Sequence, residues 1–145
     1  MIKKTITFTD YDGNKHTEDF YFNLNKAEIT KLQASVPGGW SEFLQRTVNK
    51  LDVPVLMKVF DDLIRDSYGV KSDDGRRFIK SKELTDEFMQ TEAYSELYSE
   101  LLTDSEKAAE FFNGIMPKLS PEEEAELKKQ QKKLLADGAI KTENN

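Results

Sequence analysis

The sequence predicts an α+β chain, mainly α with an N-terminal β-hairpin that leads into a compact helical domain of about six helices. Three observations carry this. Residues 2–9 and 19–24 alternate between two faces, one of them apolar except at Lys4, the period of a half-buried strand. Between them lies DYDGNK, whose Asp12-Gly13 pair suits the positive φ angles of a hairpin turn. From residue 25 onward apolar residues recur every three or four positions, which is the helical period.

In the hairpin, Ile2, Lys4, Ile6 and Phe8 share one face of the first strand, and Phe20, Phe22 and Leu24 one face of the second. An isolated hairpin is marginally stable, so this face is expected to rest on helices. Asn25-Lys26-Ala27-Glu28 has capping-box spacing and opens a helix carrying Ile29, Leu32 and Val36. Pro37-Gly38-Gly39 stops it. Trp40, Phe43, Leu44, Val48 and Leu51 form the next stripe. Asp52 caps a third helix that accepts Pro54 in its first turn. Because VPVLMKVFDDLI is apolar on nearly all sides through Phe60, it reads as the central buried helix, with Gly69 of Tyr68-Gly69 as a left-handed C-terminal cap.

Beyond the cap, YGVKSDDGRRFIK reads as a helix stop and restart. Leu84 and Phe88 mark a short helix. Thr91 begins another, with Tyr94, Leu97, Tyr98, Leu101 and Leu102 as its stripe. Asp104 or Ser105 opens one more, turning Ala108, Phe111, Phe112 and Ile115 inward and closing at Gly114 and Pro117. Ser120-Pro121-Glu122-Glu123 has the signals of a helix start, but EEEAELKKQQKKLLADG carries too few apolar residues to be core. The expected organisation is one globular domain over residues 1–117, with the hairpin at 2–24 and helices at 25–117. Residues 118–145 are a charged tail, helical or disordered.

Composition narrows the chemistry. Hydrophobic residues make up 37% of 145, enough for a modest core, while 33% charged residues demand a large solvated surface. There is no cysteine, which excludes disulfides, thiolate metal sites and a cysteine nucleophile. With a single histidine, His16, zinc lacks ligands. His16 sits beside the hairpin turn and reads as a solvated strand residue. Asp10-Tyr11-Asp12-Gly13-Asn14 begins like a calcium loop, but its sixth and twelfth positions are Lys15 and Tyr21, where glycine and glutamate belong. Gly38-Gly39 and Gly75-Arg76-Arg77 lack the context of a phosphate loop. No catalytic, metal-binding or cofactor-binding residue is assigned, no cofactor is expected, and the chain is read as not an enzyme. The MIKK start runs into alternating polar sequence instead of an apolar leader core, and the longest apolar run is Val53–Met57. A soluble, cytoplasmic protein without membrane contact is therefore expected.

Two regions are candidates for binding a partner. Residues 71–82 hold five bases against two acids, whereas residues 83–110 hold nine acids against Lys107 alone. Arg76, Arg77, Phe78 and Lys80 have three open readings: a patch for phosphate and stacked bases, a surface loop with Phe78 packed inward, or an ionic contact with acids of this chain or a second copy. Overall charge of −6 and the acidic neighbour disfavour nucleic acid. The stripe of Tyr94, Leu97, Tyr98 and Leu101, with Phe111 and Phe112 on the following helix, reads either as core or as a subunit or partner contact.

The segments YGVKSDDGRRFIKS, ELTDEFMQTEAYSELYSELLTD and AAEFFNGIMP, in that order, resemble the tail assembly chaperones of long-tailed, siphovirus-type bacteriophages. The TITFTDYDGN…TEDFYFNLNKAEI start is similar too, so the resemblance runs from Ile2 to Pro117. It implies a small, largely helical, non-enzymatic protein that works in the host cell cytoplasm and is absent from the mature virion. The implied partners are the tape measure protein, kept soluble, and the tail tube protein, helped to polymerise around it. Self-association into a homo-oligomer is a further expectation. The resemblance also implies a longer product of programmed frameshifting, for which Lys128-Lys129 and Lys132-Lys133 mark the place to look. The alternative is a small nucleic-acid-binding accessory protein using the basic loop 71–82.

Overall fold

A computed structural model describes residues 1–35 and 52–117, and positions 39, 42, 43, 46, 50, 121, 122 and 125 singly. The described strands are β1 (Ile2–Thr9), β2 (Lys15–Phe22), β3 (Tyr68–Lys71) and β4 (Phe78–Ile79). The described helices are α1 (Lys26–Ser35), α2 (Val53–Ser67), α3 (Lys82–Met89), α4 (Glu92–Thr103) and α5 (Ser105–Ile115). The α+β class and the N-terminal hairpin are those the sequence predicts. About six helices were expected, and five stand among the described residues. The Trp40–Leu51 stripe lies outside these residues except at four positions, as does the tail except at Pro121, Glu122 and Ala125, which are helical.

The chain divides into two compact units. One comprises Met1–Leu24 and Met57–Met116, the other Asn25–Leu56 and Pro117–Asn145. In the second, the capping box forms as spaced: Glu28 N–H donates to Asn25 Oδ1 and Asn25 N–H to Glu28 Oε1, each at 2.9 Å. Asp52 begins α2, accepting the Leu56 N–H at 3.0 Å on its backbone carbonyl.

The first unit is built on an antiparallel sheet in the order β1-β2-β3-β4. β1 and β2 pair from Ile2 opposite Phe22 to Thr9 opposite Lys15. A three-residue turn, Tyr11 to Gly13, joins them. Asp10 N–H donates to Asn14 O at 2.8 Å, Gly13 N–H to Asp10 O at 3.0 Å, and Gly13 takes φ +88°. That is a type I turn closed by a left-handed glycine, the usual three-residue hairpin connection.

The segment read as a helix stop and restart does separate α2 from α3, and between them it forms a second hairpin, β3–β4, that the sequence reading did not include. Tyr68, Val70, Phe78 and Ile79 are β-branched or aromatic and flank a turn-forming Ser72-Asp73-Asp74-Gly75, so local preference favours strands there. Ser72 N–H donates to Arg77 O at 2.9 Å, and Gly75 takes the positive φ of +73°. Gly69 is therefore no helix cap. It lies in β3 opposite Tyr21, where a Cβ would come within 2.6 Å of Phe78 Cε2 and 2.9 Å of the Ile79 carbonyl oxygen.

The expectation for α2 also needs correcting. Val59, Phe60, Leu63, Ile64 and Ser67 are buried, but Val53 is 55% and Met57 41% exposed. Only the second half of this helix is core.

Phe22, fully buried, is the centre of that core. Its ring lies 5.3 Å from Phe111, 5.7 Å from Phe88 and 5.7 Å from Tyr68, and Tyr68 stacks on Phe88 at 4.5 Å. Offset and edge-on contacts of this kind add stability beyond the area they bury. The inner face of the first hairpin thus rests on helices, as its alternation requires. Past the end of β2, Asn23 N–H donates to Ser67 O and Leu24 N–H to Ile115 O, both at 2.8 Å, fixing the ends of α2 and α5 to the strand.

Candidate functional site

The apolar stripe of α4 divides by depth. Leu97 and Leu101 are buried, 1% and 2% exposed, and Phe111 on α5 is fully buried. These three belong to the core and offer a partner no surface. Tyr94, Tyr98 and Phe112 are half-buried at the margin. Phe112 stacks on Phe60 with ring centres 5.4 Å apart. Tyr98 donates to the Met57 carbonyl oxygen at 3.1 Å, and its ring is 5.6 Å from that of Tyr94. Leu102, one turn beyond Tyr98, is 39% exposed. Met57, Tyr98 and Leu102 thus make a partly exposed apolar shoulder where Tyr98 joins α4 to α2.

The shoulder has a charged rim. Lys58 pairs with Asp62 at 2.9 Å and Arg65 with Asp61 at 3.0 Å, each one helical turn apart. Tyr94 donates to Asp61 at 2.6 Å. Burial pushes the Asp61 carboxyl up, but the bonds from Tyr94 and Arg65 outweigh it and hold the group below its ordinary value. For Tyr94, burial first and the Asp61 carboxylate second drive the phenol well above the usual tyrosine range. Sequence periodicity had no means of revealing this pairing across 33 positions.

In the basic loop the four candidates separate. Arg76 and Arg77 are exposed, and neither guanidinium has an acid partner among the described residues. Their backbone is held from below. Asp74 Oδ1 accepts from Ser72 Oγ at 2.7 Å and Arg76 N–H at 3.0 Å, while Ser72 Oγ accepts from Arg77 N–H at 3.0 Å. The Ser72 hydroxyl, then the Arg76 amide, keep the Asp74 carboxyl below its ordinary value. Asp73-Asp74-Gly75 is a turn. Phe78 is half-buried over Gly69.

Lys80 has an internal role. Its ammonium donates to Asn23 O at 2.7 Å and Asp66 O at 2.8 Å, spanning the ends of β2 and α2. A cation at the C-terminal end of a helix also meets the negative end of its dipole. These bonds withdraw Lys80 from the basic surface that Arg76 and Arg77 present.

His16 is less solvated than expected. Nε2 lies 2.6 Å from Asp10 Oδ2, and the ring stacks on Phe8 at 5.3 Å. This contact, then the Asn14 amide, lowers the Asp10 carboxyl. The pair closes the hairpin end. Among the described residues no cluster of three or more His, Asp or Glu is placed to hold a metal ion. Among the same residues no helix is long and apolar enough to cross a membrane.

A groove of about 200 Å³ runs beside β1, lined by residues 4–7 and by Glu96, Leu97 and Glu100 of α4. Lys4, which points to the covered face of the sheet, pairs with Glu100 at 2.9 Å.

Neither the curated proteins nor the solved structures include a match to this chain. The profile of one family, described as phage tail assembly chaperone, matches residues 1–144, both units and nearly every residue. On that match, the chain belongs to the phage tail assembly chaperone family.

Proposed function

We propose that this chain is a non-enzymatic chaperone that binds the tape measure protein, keeps it soluble, and promotes assembly of the tail tube protein around it. The observation that carries the reading is the family match across residues 1–144. The apolar shoulder of Met57, Tyr98 and Leu102 supports it. A client rich in apolar helical stripes aggregates until its tube encloses it, and a partly exposed apolar strip is a surface on which such a stripe can lie. The rim of Lys58, Asp61, Asp62 and Arg65 keeps the chaperone itself in solution. Several copies along one long client would gain by avidity.

On this reading the protein acts in the host cell cytoplasm and leaves no copy in the mature virion. Arg76 and Arg77 are contacts for a client or for the acidic helix of a second copy. A longer frameshifted product would extend the chain through the Lys128-Lys129 and Lys132-Lys133 region. Coexpression with the tape measure gene tests the central step. The soluble yield of the client should rise, and an unchanged yield would refute the client assignment.

A further inference from the structure

The outer edge of β1 has no strand beside it. Asp10 N–H donates to Asn14 O, which makes Asp10 and Asn14 a hydrogen-bonded pair of the β1–β2 ladder. Such pairs alternate along antiparallel strands. In the observed register, residues 2, 4, 6 and 8 therefore turn their backbone groups toward β2. Lys3, Thr5, Thr7 and Thr9 turn theirs outward. Among the described residues these outward N–H and C=O groups have no partner, and all four side chains are exposed. A long open edge is a template for another strand, and proteins usually blunt or cover one.

The groove described above lies along this edge. Its walls come from residues 4–7 and from α4, with none from β2, so it opens on the outer margin of the sheet. α4 runs antiparallel to β1. The Tyr11 phenol, beyond the end of β1, donates to the Gln90 carbonyl oxygen at 3.2 Å just before α4 begins, while Glu100 pairs with Lys4 near the beginning of β1. Glu92, Glu96 and Glu100 are spaced four apart, about 6 Å along a helix axis. Alternate side chains of a strand are about 6.6 Å apart. The acidic row and an added strand therefore keep step. Glu100 is already paired with Lys4, whereas Glu96 is exposed and unpaired among the described residues.

We infer that the free edge of β1 and the Glu92–Glu96–Glu100 row form a docking site for an extended peptide strand carrying lysine or arginine at alternate positions, one of which meets Glu96. Backbone pairing to residues 3, 5, 7 and 9 supplies affinity, and the glutamate row supplies selectivity. Charge decides against a second copy as occupant. Two-fold pairing of β1 with β1 would bring two acidic rows toward each other across the seam. The site takes an extended segment, so it stands or falls separately from the helical client proposed for the Met57–Leu102 shoulder.

The test uses the full chain, isotope-labelled, and an acetylated, amidated octapeptide that alternates lysine with valine. Addition of the peptide should shift the amide resonances of Lys3, Thr5, Thr7 and Thr9 and slow their hydrogen exchange. Replacing lysine by glutamate in the peptide, or Glu96→Lys in the protein, should each weaken binding by about tenfold. Thr7→Pro removes an outward N–H that β2 does not use and should weaken binding as well. If Thr7→Pro disrupts the hairpin, the exposed Glu96→Lys variant still decides. No shift at millimolar lysine peptide, or equal affinity for the glutamate peptide, would overturn the inference. Edge amides protected without peptide in a particle of doubled mass would overturn it too, by placing a second copy there.

Discussion

Tyr94 donates a 2.6 Å hydrogen bond to Asp61 and thereby ties α4 to α2 at the inner end of the apolar shoulder. Arg65, bonded to the same carboxylate at 3.0 Å, completes a three-residue link. Tyr94→Phe should keep the ring packing and lose the bond to a charged acceptor, at a cost of about 1.5–3 kcal/mol. Urea unfolding measures it, and an unchanged midpoint would mean that water replaces the phenol at no cost.

The same link predicts how stability responds to acid. The Asp61 carboxyl is held below its ordinary value of 3.8, so the unfolded chain binds its proton more readily than the folded one. Its contribution is present above that ordinary value and is lost as pH falls through the lower folded value. Asp61→Asn should flatten the pH dependence of the thermal midpoint in that acidic window, while leaving its shape near neutrality unchanged.

Lys80 predicts a structural effect at a position whose sequence suggests a surface charge. Lys80→Met removes the donor that the Asn23 and Asp66 carbonyl oxygens share. It should cost about 1.5–3 kcal/mol. Arg76→Glu and Arg77→Glu, exposed above a turn held by Ser72 and Asp74, should each change stability by no more than about 0.5 kcal/mol. Denaturant titrations of the three variants separate clamp from rim. Loss of stability in the arginine variants would show that their side chains serve the fold.

At Gly69 the constraint is space. An added Cβ meets the Ile79 carbonyl oxygen at 2.9 Å as well as the Phe78 ring, and backbone cannot swing aside as a flexible side chain does. Gly69→Ala should cost about 1–3 kcal/mol. A thermal midpoint equal to that of the parent would mean that β3 and β4 separate without penalty.

How much of this was legible in the sequence follows from which forces were local. Alternation placed the first hairpin and its inner face, and the capping residues Asn25, Asp52 and Asp104 marked helix starts correctly, because caps act within one turn. Tyr68-Gly69 misled because a glycine after a helix serves equally as a cap and as a site of close strand approach; only the position of Phe78 distinguishes them. The apolar run at Val53–Met57 suggested burial, but exposure there depends on what packs nearby, which no window of sequence contains. Within the candidate set, helical period alone could not tell Leu97 and Leu101 from Tyr98, since all lie on one stripe and differ only in depth. The Tyr94–Asp61 and Lys80–Asn23 bonds join residues 33 and 57 positions apart and left no local signal.

Leu102→Asp tests the account's central claim most directly. Leu102 is 39% exposed, so a carboxylate there stays in water and should spare the fold while spoiling the apolar shoulder. The measurement is the amount of soluble tape measure protein recovered on coexpression with the parent chain or with this variant, matched for chaperone level and thermal midpoint. The account predicts that the parent raises the soluble client and the variant does not. Equal rescue by a folded Leu102→Asp chain would contradict it.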